Sequence, residues 1–252
     1  HRILNRATSV YHGVGTCRMG VDELAVDDGK APVHPQYVAR LLDELASEDA
    51  VFTADVGSPV IWAARYLTMN GRRRLLGSFL HGSMANAMPH ALGAQASDRG
   101  RQVIALAGDG GLAMLMGDLL SIRQNDLPVK IIVFNNASLN FVELEMKAAG
   151  IVNFGTGLEN PSFAAVAESV GITGIRVEKG SELRDALTRA LATEGPVLVD
   201  VVTAREELSM PPSITAAQMK GFTVWALKTV LSGRGDELLD LADTNVWRRI
   251  FH

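Results

Sequence analysis

The chain has one cysteine, Cys17, among 252 residues, so no disulfide framework can hold it, and a reducing compartment suits it. It has no run of eighteen or more apolar residues, which excludes a membrane-spanning helix. Basic residues are not in excess: 24 lysines and arginines face 28 aspartates and glutamates, and a net charge of −4 offers no nucleic-acid surface. Neither an initiator methionine nor a signal-peptide pattern opens the chain at His1, which reads as a fragment or one piece of a longer product. What the chain does have is apolar content. At 47% hydrophobic residues it can bury the core of one large domain, with or without an appendage.

Short apolar, β-branched runs alternate with helical patterns. Residues 51–54, 102–107, 129–134 and 197–202 read as buried strands, and 75–78 and 174–177 as weaker ones. Helical segments are predicted near 35–47, 59–69, 83–97, 112–125, 162–170 and 181–193. Strands apolar on both faces and separated by helices imply right-handed βαβ units, hence an α/β fold with a parallel sheet flanked by helices. Ligands in such sheets bind beyond the carboxyl ends of the strands.

Two motifs fall on that edge. Gly108-Asp109-Gly110-Gly111 follows one strand and Asn135-Asn136 follows another, with Asp109 and Asn136 separated by 27 positions. The glycines permit a tight turn and close backbone approach, and the helix that follows offers free amides to an anion. A carboxylate and an amide oxygen suit Mg²⁺ bridging to phosphate. A strand-GDG turn alone is often only a turn; its combination with Leu127-Pro128, a strand and the asparagine pair is what points to a diphosphate site.

From about Gly20 onward the chain resembles the C-terminal third of bacterial pyruvate:quinone oxidoreductases, the pyruvate oxidases of the thiamine-diphosphate enzyme superfamily. The similarity is carried by His34-Pro35-Gln36-Tyr37, Asp55-Val56-Gly57, Trp62 to Tyr66, Gly77-Ser78-Phe79, His81 to Pro89 and Gly108 to Asp118. It continues through Leu127 to Lys130, Glu145-Met146-Lys147 and Ser232 to Glu237. The resemblance implies thiamine diphosphate and Mg²⁺ as cofactors, with Asp109, Asn136 and the Ser138 carbonyl as metal ligands. It implies further that Gly110 and Gly111 lie against the diphosphate and that Gly82, Ser83 and Met84 lie under the aminopyrimidine, Met84 keeping the cofactor bent. Asn136, Ala137, Ser138, Leu139, Asn140, Phe141 and Val142 would line the cofactor. Phe141 matches an aromatic that enters the active site on activation, and Asn140 departs from the small residue of that pattern. Read without the resemblance, Met84 and Phe141 are ordinary core residues, as Met114 and Met116 are, and His81 is as readily structural as basic.

The implied reaction is oxidative decarboxylation of pyruvate to acetate and CO₂, with electrons passed through FAD to a quinone. The implied flavin domain and the pyrimidine-binding domain with its activating glutamate, the latter usually contributed by a neighbouring subunit of an oligomer, have no counterpart in this sequence. The chain would therefore be inactive alone. Alternatives are another enzyme of the superfamily (acetolactate synthase or a 2-oxo acid decarboxylase), a non-catalytic cofactor-binding subunit, or a decayed fragment.

Both ends carry separate signals. After Pro211-Pro212, residues 216–231 place Met219, Phe222, Val224, Ala226, Leu227, Val230 and Leu231 in an apolar helical pattern. Leu238, Leu239, Leu241, Val246, Trp247, Ile250 and Phe251 follow, with Arg248 and Arg249 beside them. Such a tail suits a membrane interface or a pair of helices packed back on the domain; the resemblance favours a lipid-binding tail that brings a cytoplasmic enzyme to quinone at the inner face of the membrane. At the other end, residues 9–26, with His12-Gly13-Val14-Gly15-Thr16-Cys17-Arg18-Met19-Gly20, are similar to a motif near the end of glucose-methanol-choline flavin oxidoreductases. The expected division is a junction over 1–29, the cofactor domain over 30–206 and the tail over 207–252.

Overall fold

A computed structural model of the protein describes residues 31–205, 207, 216–242 and 244. The flavin-oxidoreductase motif and the segment Val246 to Phe251 lie outside them. The elements, in chain order, are α1 (Pro35–Leu45), β1 (Val51–Ala54), α2 (Ser58–Tyr66), β2 (Arg74–Leu76), α3 (Ala87–Ser97), β3 (Val103–Gly108), α4 (Asp109–Met114) and α5 (Asp118–Gln124). They continue with β4 (Lys130–Asn135), α6 (Asn140–Ala148), α7 (Phe163–Ser169), β5 (Thr173–Val177), α8 (Gly180–Ala192), β6 (Val197–Val202), α9 (Ala216–Leu231) and α10 (Asp236–Ala242).

The six strands form one parallel sheet in the order β2-β1-β3-β4-β6-β5. The α/β fold with a parallel, helix-flanked sheet is as expected. The strands read as unbroken apolar runs because alternate residues serve opposite cores. Phe52, Ile104, Leu106, Ile132 and Phe134 pack under α1, α2 and α8, together with Leu41, Trp62 and Leu187. Val103, Ala105, Ile131, Val133 and Leu198 pack on the other face under α3, α5 and α7, together with Met88, Ile122 and Phe163. Burying a Val, Leu, Ile or Phe side chain stabilises by about 1.5–3 kcal/mol, and both faces of every central strand gain it. From β1 the chain steps outward to β2, then back across β1 to β3, so the sheet reverses direction of growth between β1 and β3. The carboxyl ends of those two strands leave a crevice there.

The helix predicted over 112–125 is two helices. The first begins at Asp109, at the strand end itself, and stops at Met114; Gly117 caps the second. The break leaves Met114 and Leu115 exposed while Leu119 and Ile122 turn under the sheet. Helix α6 was not expected at all. Its inward residues are Asn140, Glu143 and Lys147, so the buried stripe is polar and carries no apolar periodicity.

The C-terminal apolar segment forms α9, and α9 packs back against α6. The anchor is Trp225, fully buried, which lies 5.0 Å from the Phe222 ring and beneath the Lys147 ammonium, 5.1 Å from the ring centroid. Lys228 Nζ donates to the Gly150 carbonyl at 2.9 Å. The predicted stripe omits Trp225, and several of its members point away from the domain: Met219, Val224, Leu227, Val230 and Leu231 are exposed. Of the two expectations for residues 216–231, packing back on the domain holds for one face of α9, fixed by an aromatic anchor and a buried cation, while the other face is open. Among the described residues no helix is long and apolar enough to cross a membrane.

Close approach of α9 to α6 depends on Gly221. A Cβ built there would lie 1.8 Å from the Ala148 carbonyl oxygen, a backbone atom with no room to retreat. Gly221→Ala should gain roughly 1 kcal/mol of helix propensity and still lower the melting temperature, with α9 becoming the first site cut in limited proteolysis. An unchanged or raised melting temperature would contradict this packing.

Candidate functional site

The carboxyl ends of β1, β3, β4 and β6 send four loops to one side of the sheet, and a cleft of about 230 Å³ lies among them. Asp55 and Gly57 line it from the loop after β1, Gly108 to Gly111 from the turn after β3, Asn136 and Ser138 from the loop after β4, and Thr203, Ala204 and Glu207 from the segment after β6. Gly82 and Met84 close one wall, and Leu139 to Val142, at the start of α6, close another. Of the residues expected around the cofactor, all but Ser83 and Ala137 line this cleft. The Ser83 hydroxyl is turned to that of Ser78, at 3.2 Å, and its carbonyl accepts from the Asn86 amide at 2.5 Å. Ala137 contributes backbone alone.

Asp109 sits nearly buried at the strand end, 3% exposed. Its Oδ1 accepts from Gly110 N at 2.8 Å; its Oδ2 accepts from Ala137 N at 2.7 Å and from Asn160 Nδ2 at 2.8 Å. Burial raises its pKa, and the N–H groups of Gly110, Asn160, Ala137 and, without a hydrogen bond of its own, Asn136 work against that rise without cancelling it. The bond to Ala137 puts the β3 and β4 loops in direct contact. Asn136 turns its side-chain oxygen back to accept from Ser138 N at 3.1 Å. Ala137 between them takes a left-handed conformation, φ +54°, and the loop is held there by a bridge to the 156–158 segment: Leu139 N donates to Thr156 O and Leu158 N to Ala137 O, both at 2.9 Å. A left-handed L-residue costs about 1–2 kcal/mol, which those bonds offset.

A second buried carboxylate braces the site. Asp55 Oδ1 accepts from Ala87 N at 2.8 Å and Oδ2 from Gly108 N at 3.0 Å, tying β1 to the end of β3 and the start of α3. Burial pushes its pKa up against the hydrogen bonds of Ala87, Gly108 and Asn86. Gly111 has to be glycine here, since a Cβ would lie 2.1 Å from Asp55 Oδ2. A Cβ at Gly110 would meet Leu139 Cδ2 at 2.9 Å and Met84 Cε at 3.3 Å, so Met84 and Leu139 lie over that glycine and leave a narrow backbone-lined floor.

Asn140, the departure from a small residue, is buried and bridges the walls: its amide donates to Arg205 O at 2.9 Å and its oxygen accepts from Ser58 Oγ at 3.0 Å. Behind it Glu143, fully buried, accepts from Thr156 Oγ1 at 2.8 Å and Arg205 Nη2 at 2.6 Å. Burial alone would raise the Glu143 pKa; the Ser138 hydroxyl, Arg205 and Thr156 outweigh it and hold the carboxyl below its usual range. Lys147 Nζ lies 4.0 Å from the other Glu143 oxygen. A chain of buried polar groups thus runs from Ser138 through α6 to Trp225 of α9.

Sequence reasoning missed four residues at the site. Asn160 reaches Asp109 from the loop before α7. Glu145 lines the cleft one helical turn after Phe141. Glu207 lines it too, bound by His34 Nδ1 at 2.8 Å and Gln36 Nε2 at 2.5 Å. Asp55 stands in one of the stretches that carry the resemblance, but its part as a brace was not read. The available signal was polarity at positions that the fold buries, and that emerges only with the fold. His81 is exposed.

Asp55, Glu145 and Glu207 also line the cleft, but the donors at the contact of the β3 and β4 loops are the Asp109 carboxylate, the Asn136 amide oxygen and main-chain carbonyls. Among the described residues no group of three or more His, Cys, Asp or Glu side chains converges, so a site dominated by imidazole or thiolate ligands is not built here. An oxygen-only set with a single charge fits Mg²⁺, which is ordinarily held by one or two carboxylates plus phosphate oxygens and water. Residues 55–201 match the family model of the thiamine pyrophosphate enzyme C-terminal TPP-binding domain. The chain is 37% identical over 222 residues to YdaP of Bacillus subtilis (strain 168), whose provisional name gives it as thiamine pyrophosphate-containing; the match covers 87% of this chain and 38% of YdaP. It is 35% identical to acetolactate synthase 2 of Zea mays over 71% of this chain and 30% of that protein. It is 32% identical to the acetolactate synthase large subunit of Parasynechococcus marenigrum over 79% of this chain and 33% of that protein. The chain therefore spans about a third of the length of these relatives.

The two raised carboxylates give the metal-free protein a signed pH dependence. A buried acid whose folded pKa lies above its unfolded value contributes stability that is present below the unfolded pKa and lost as pH rises through the folded one. Unfolding free energy in chelator, measured by urea denaturation, should therefore fall as pH rises above the usual aspartate range of about 4. Asp109→Asn should flatten that fall. An identical slope in the variant would show that Asp109 is not titrating in this way.

Proposed function

Because the chain belongs to the thiamine pyrophosphate enzyme family, as its C-terminal cofactor-binding domain, we propose that it holds the diphosphate and magnesium of an enzyme acting on a 2-oxo acid. The observation that carries this reading is the contact between the Asp109 and Ala137 loops at the carboxyl ends of the neighbouring strands β3 and β4, inside the family match. Asp109, Asn136 and the Ser138 carbonyl would hold the metal. Gly110 and Gly111 would lie along the diphosphate, Gly82 to Met84 under the pyrimidine, and Leu139 to Val142 along the cofactor's length. Thiamine diphosphate supplies, when bound, an electron sink for the carbanion that decarboxylation leaves. The protein's own contribution is positional. Asp55 and Gly111 keep the floor narrow, the loop bridge at 156–158 keeps Ser138 in place, and Phe141 stands at the mouth with Val142. One protein charge is too few to hold Mg²⁺ firmly, so metal and diphosphate should bind only together.

The finer reading is oxidation of pyruvate to acetate and CO₂ with electrons passed through FAD to a quinone. The motifs that carry the resemblance, Trp62 to Tyr66 and Ser232 to Glu237 among them, favour it. The flavin, pyrimidine-binding and oligomeric parts of that assembly would come from sequence outside this chain. Lipid attachment at the inner membrane face would use the exposed side of α9 (Met219, Leu227, Val230, Leu231) together with the segment beyond it. A second reading, acetolactate synthesis, is favoured by the names of the relatives; the C-terminal tail and the stretch from Trp62 to Tyr66 speak against it, although Trp62 itself lies in the core.

Calorimetric titration of the purified chain with thiamine diphosphate should show binding with Mg²⁺, little without it, and none in Asp109→Ala. Equal heats with and without the metal, or undiminished binding by the variant, would overturn the reading. With the missing domains supplied, pyruvate should yield acetate and reduced quinone; acetolactate as the product would select the second reading.

A further inference from the structure

Asn135 and Asn136 are consecutive, and only the second has been given a task. The first points to the opposite side of the strand end, toward β6 and α7. Its amide Nδ2 donates to Asp200 Oδ1 at 2.9 Å, and Asp200, fully buried in β6, also accepts from Arg176 Nη1 at 2.8 Å and Phe163 N at 3.0 Å. A carboxylate can only accept, so the Asn135 oxygen has to face the other way, where it accepts from Asn160 Nδ2 at 3.0 Å. The other proton of the same Asn160 nitrogen goes to Asp109 Oδ2. In the series Arg176, Asp200, Asn135, Asn160, Asp109 the two amides, Asn135 and Asn160, therefore have a determined orientation, held between the carboxylates of Asp200 and Asp109.

This bears on which Asp109 oxygen remains open. Oδ2 receives two N–H groups, from Ala137 and Asn160, while Oδ1 receives one, from Gly110. A carboxylate oxygen has two lone pairs in its plane, so Oδ2 is filled and Oδ1 keeps one for another partner. We propose that Asn160 is a positioning residue for Asp109: held by the Asn135–Asp200–Arg176 chain, it occupies Oδ2 and fixes the carboxylate so that Oδ1 is presented to the cation. The inference rests on Asp109 being a metal ligand. Partners of this kind, bonded to a ligand and not to the metal, set its orientation, and losing one typically weakens metal binding by about 10- to 100-fold.

The test uses the full chain and thiamine diphosphate titrated in Mg²⁺ or in Ca²⁺. Mg²⁺ demands near-octahedral ligand placement, whereas Ca²⁺ accepts irregular sets. Asn160→Ala should weaken Mg²⁺-supported binding by about 10- to 100-fold and Ca²⁺-supported binding by clearly less, with the melting temperature in chelator little changed. Asn135→Ala should shift the same ratio in the same direction, and the double variant should be no worse than Asn160→Ala, because both act through one bond. Should Asn160→Ala not fold, Asn160→Asp keeps the shape and replaces the donor by an acceptor, and the same ion discrimination is expected. Unchanged Mg²⁺-supported binding, or equal losses with both ions, overturns the proposal. A wild-type chain that binds thiamine diphosphate with neither ion overturns the functional reading and this inference together; normal wild-type binding with an unaltered variant overturns this inference alone.

Discussion

A carboxylate taken out of water needs N–H dipoles around it, and the arrangement around Asp109 follows from that requirement. Its N–H donors come from its own helix, from the loop after β4 and from the loop before α7. Each donor drags its segment to the same point at the edge of the sheet. The left-handed turn at Ala137, the bridge between 137–139 and 156–158, and the short α4 beginning at the strand tip are all ways of delivering those donors. The burial that makes the carboxylate costly is also what leaves it ready for a divalent ion.

Support for that point comes from two directions. From below, Asp55 locks the ends of β1, β3 and α3 into one unit and forbids a side chain at position 111. From behind, α6 turns a polar stripe inward. Glu143 is hydrogen-bonded to Arg205 through one oxygen and faces the Lys147 ammonium at 4.0 Å with the other, and α9 covers Lys147 with Trp225. A buried ion pair of this sort contributes little net stability beside a well-packed apolar core; its effect is to specify where α6 and α9 must sit. The C-terminal helix is in that sense part of the site's foundation, although no residue of α9 lines the cleft.

Much of this was legible in the sequence, and the limits are physical. The strands were readable because both faces are apolar, and the turn residues after β3 and β4 marked the functional edge. Asp109 and Asn136 stood out because glycines and a second asparagine flank them. Helix α6 could not be read from periodicity, since its inward residues are charged. Trp225 was passed over in a segment that is apolar almost all round, where no stripe distinguishes the docked face from the open one. Asn160 and Glu207 are ordinary polar residues in loops, and their roles depend on partners 51 and 173 positions away.

The adjacent asparagines at the end of β4 show what a two-residue repeat does at a sheet edge. Successive side chains leave a strand on opposite sides, so one dipeptide serves the cleft with its second amide and the far face with its first. Insertion or deletion of a single residue in β4 would not simply shift these groups along; it would exchange their duties. The dipeptide therefore works as a phase marker for the strand, and mutational drift in β4 should be confined to substitutions, with changes of length excluded.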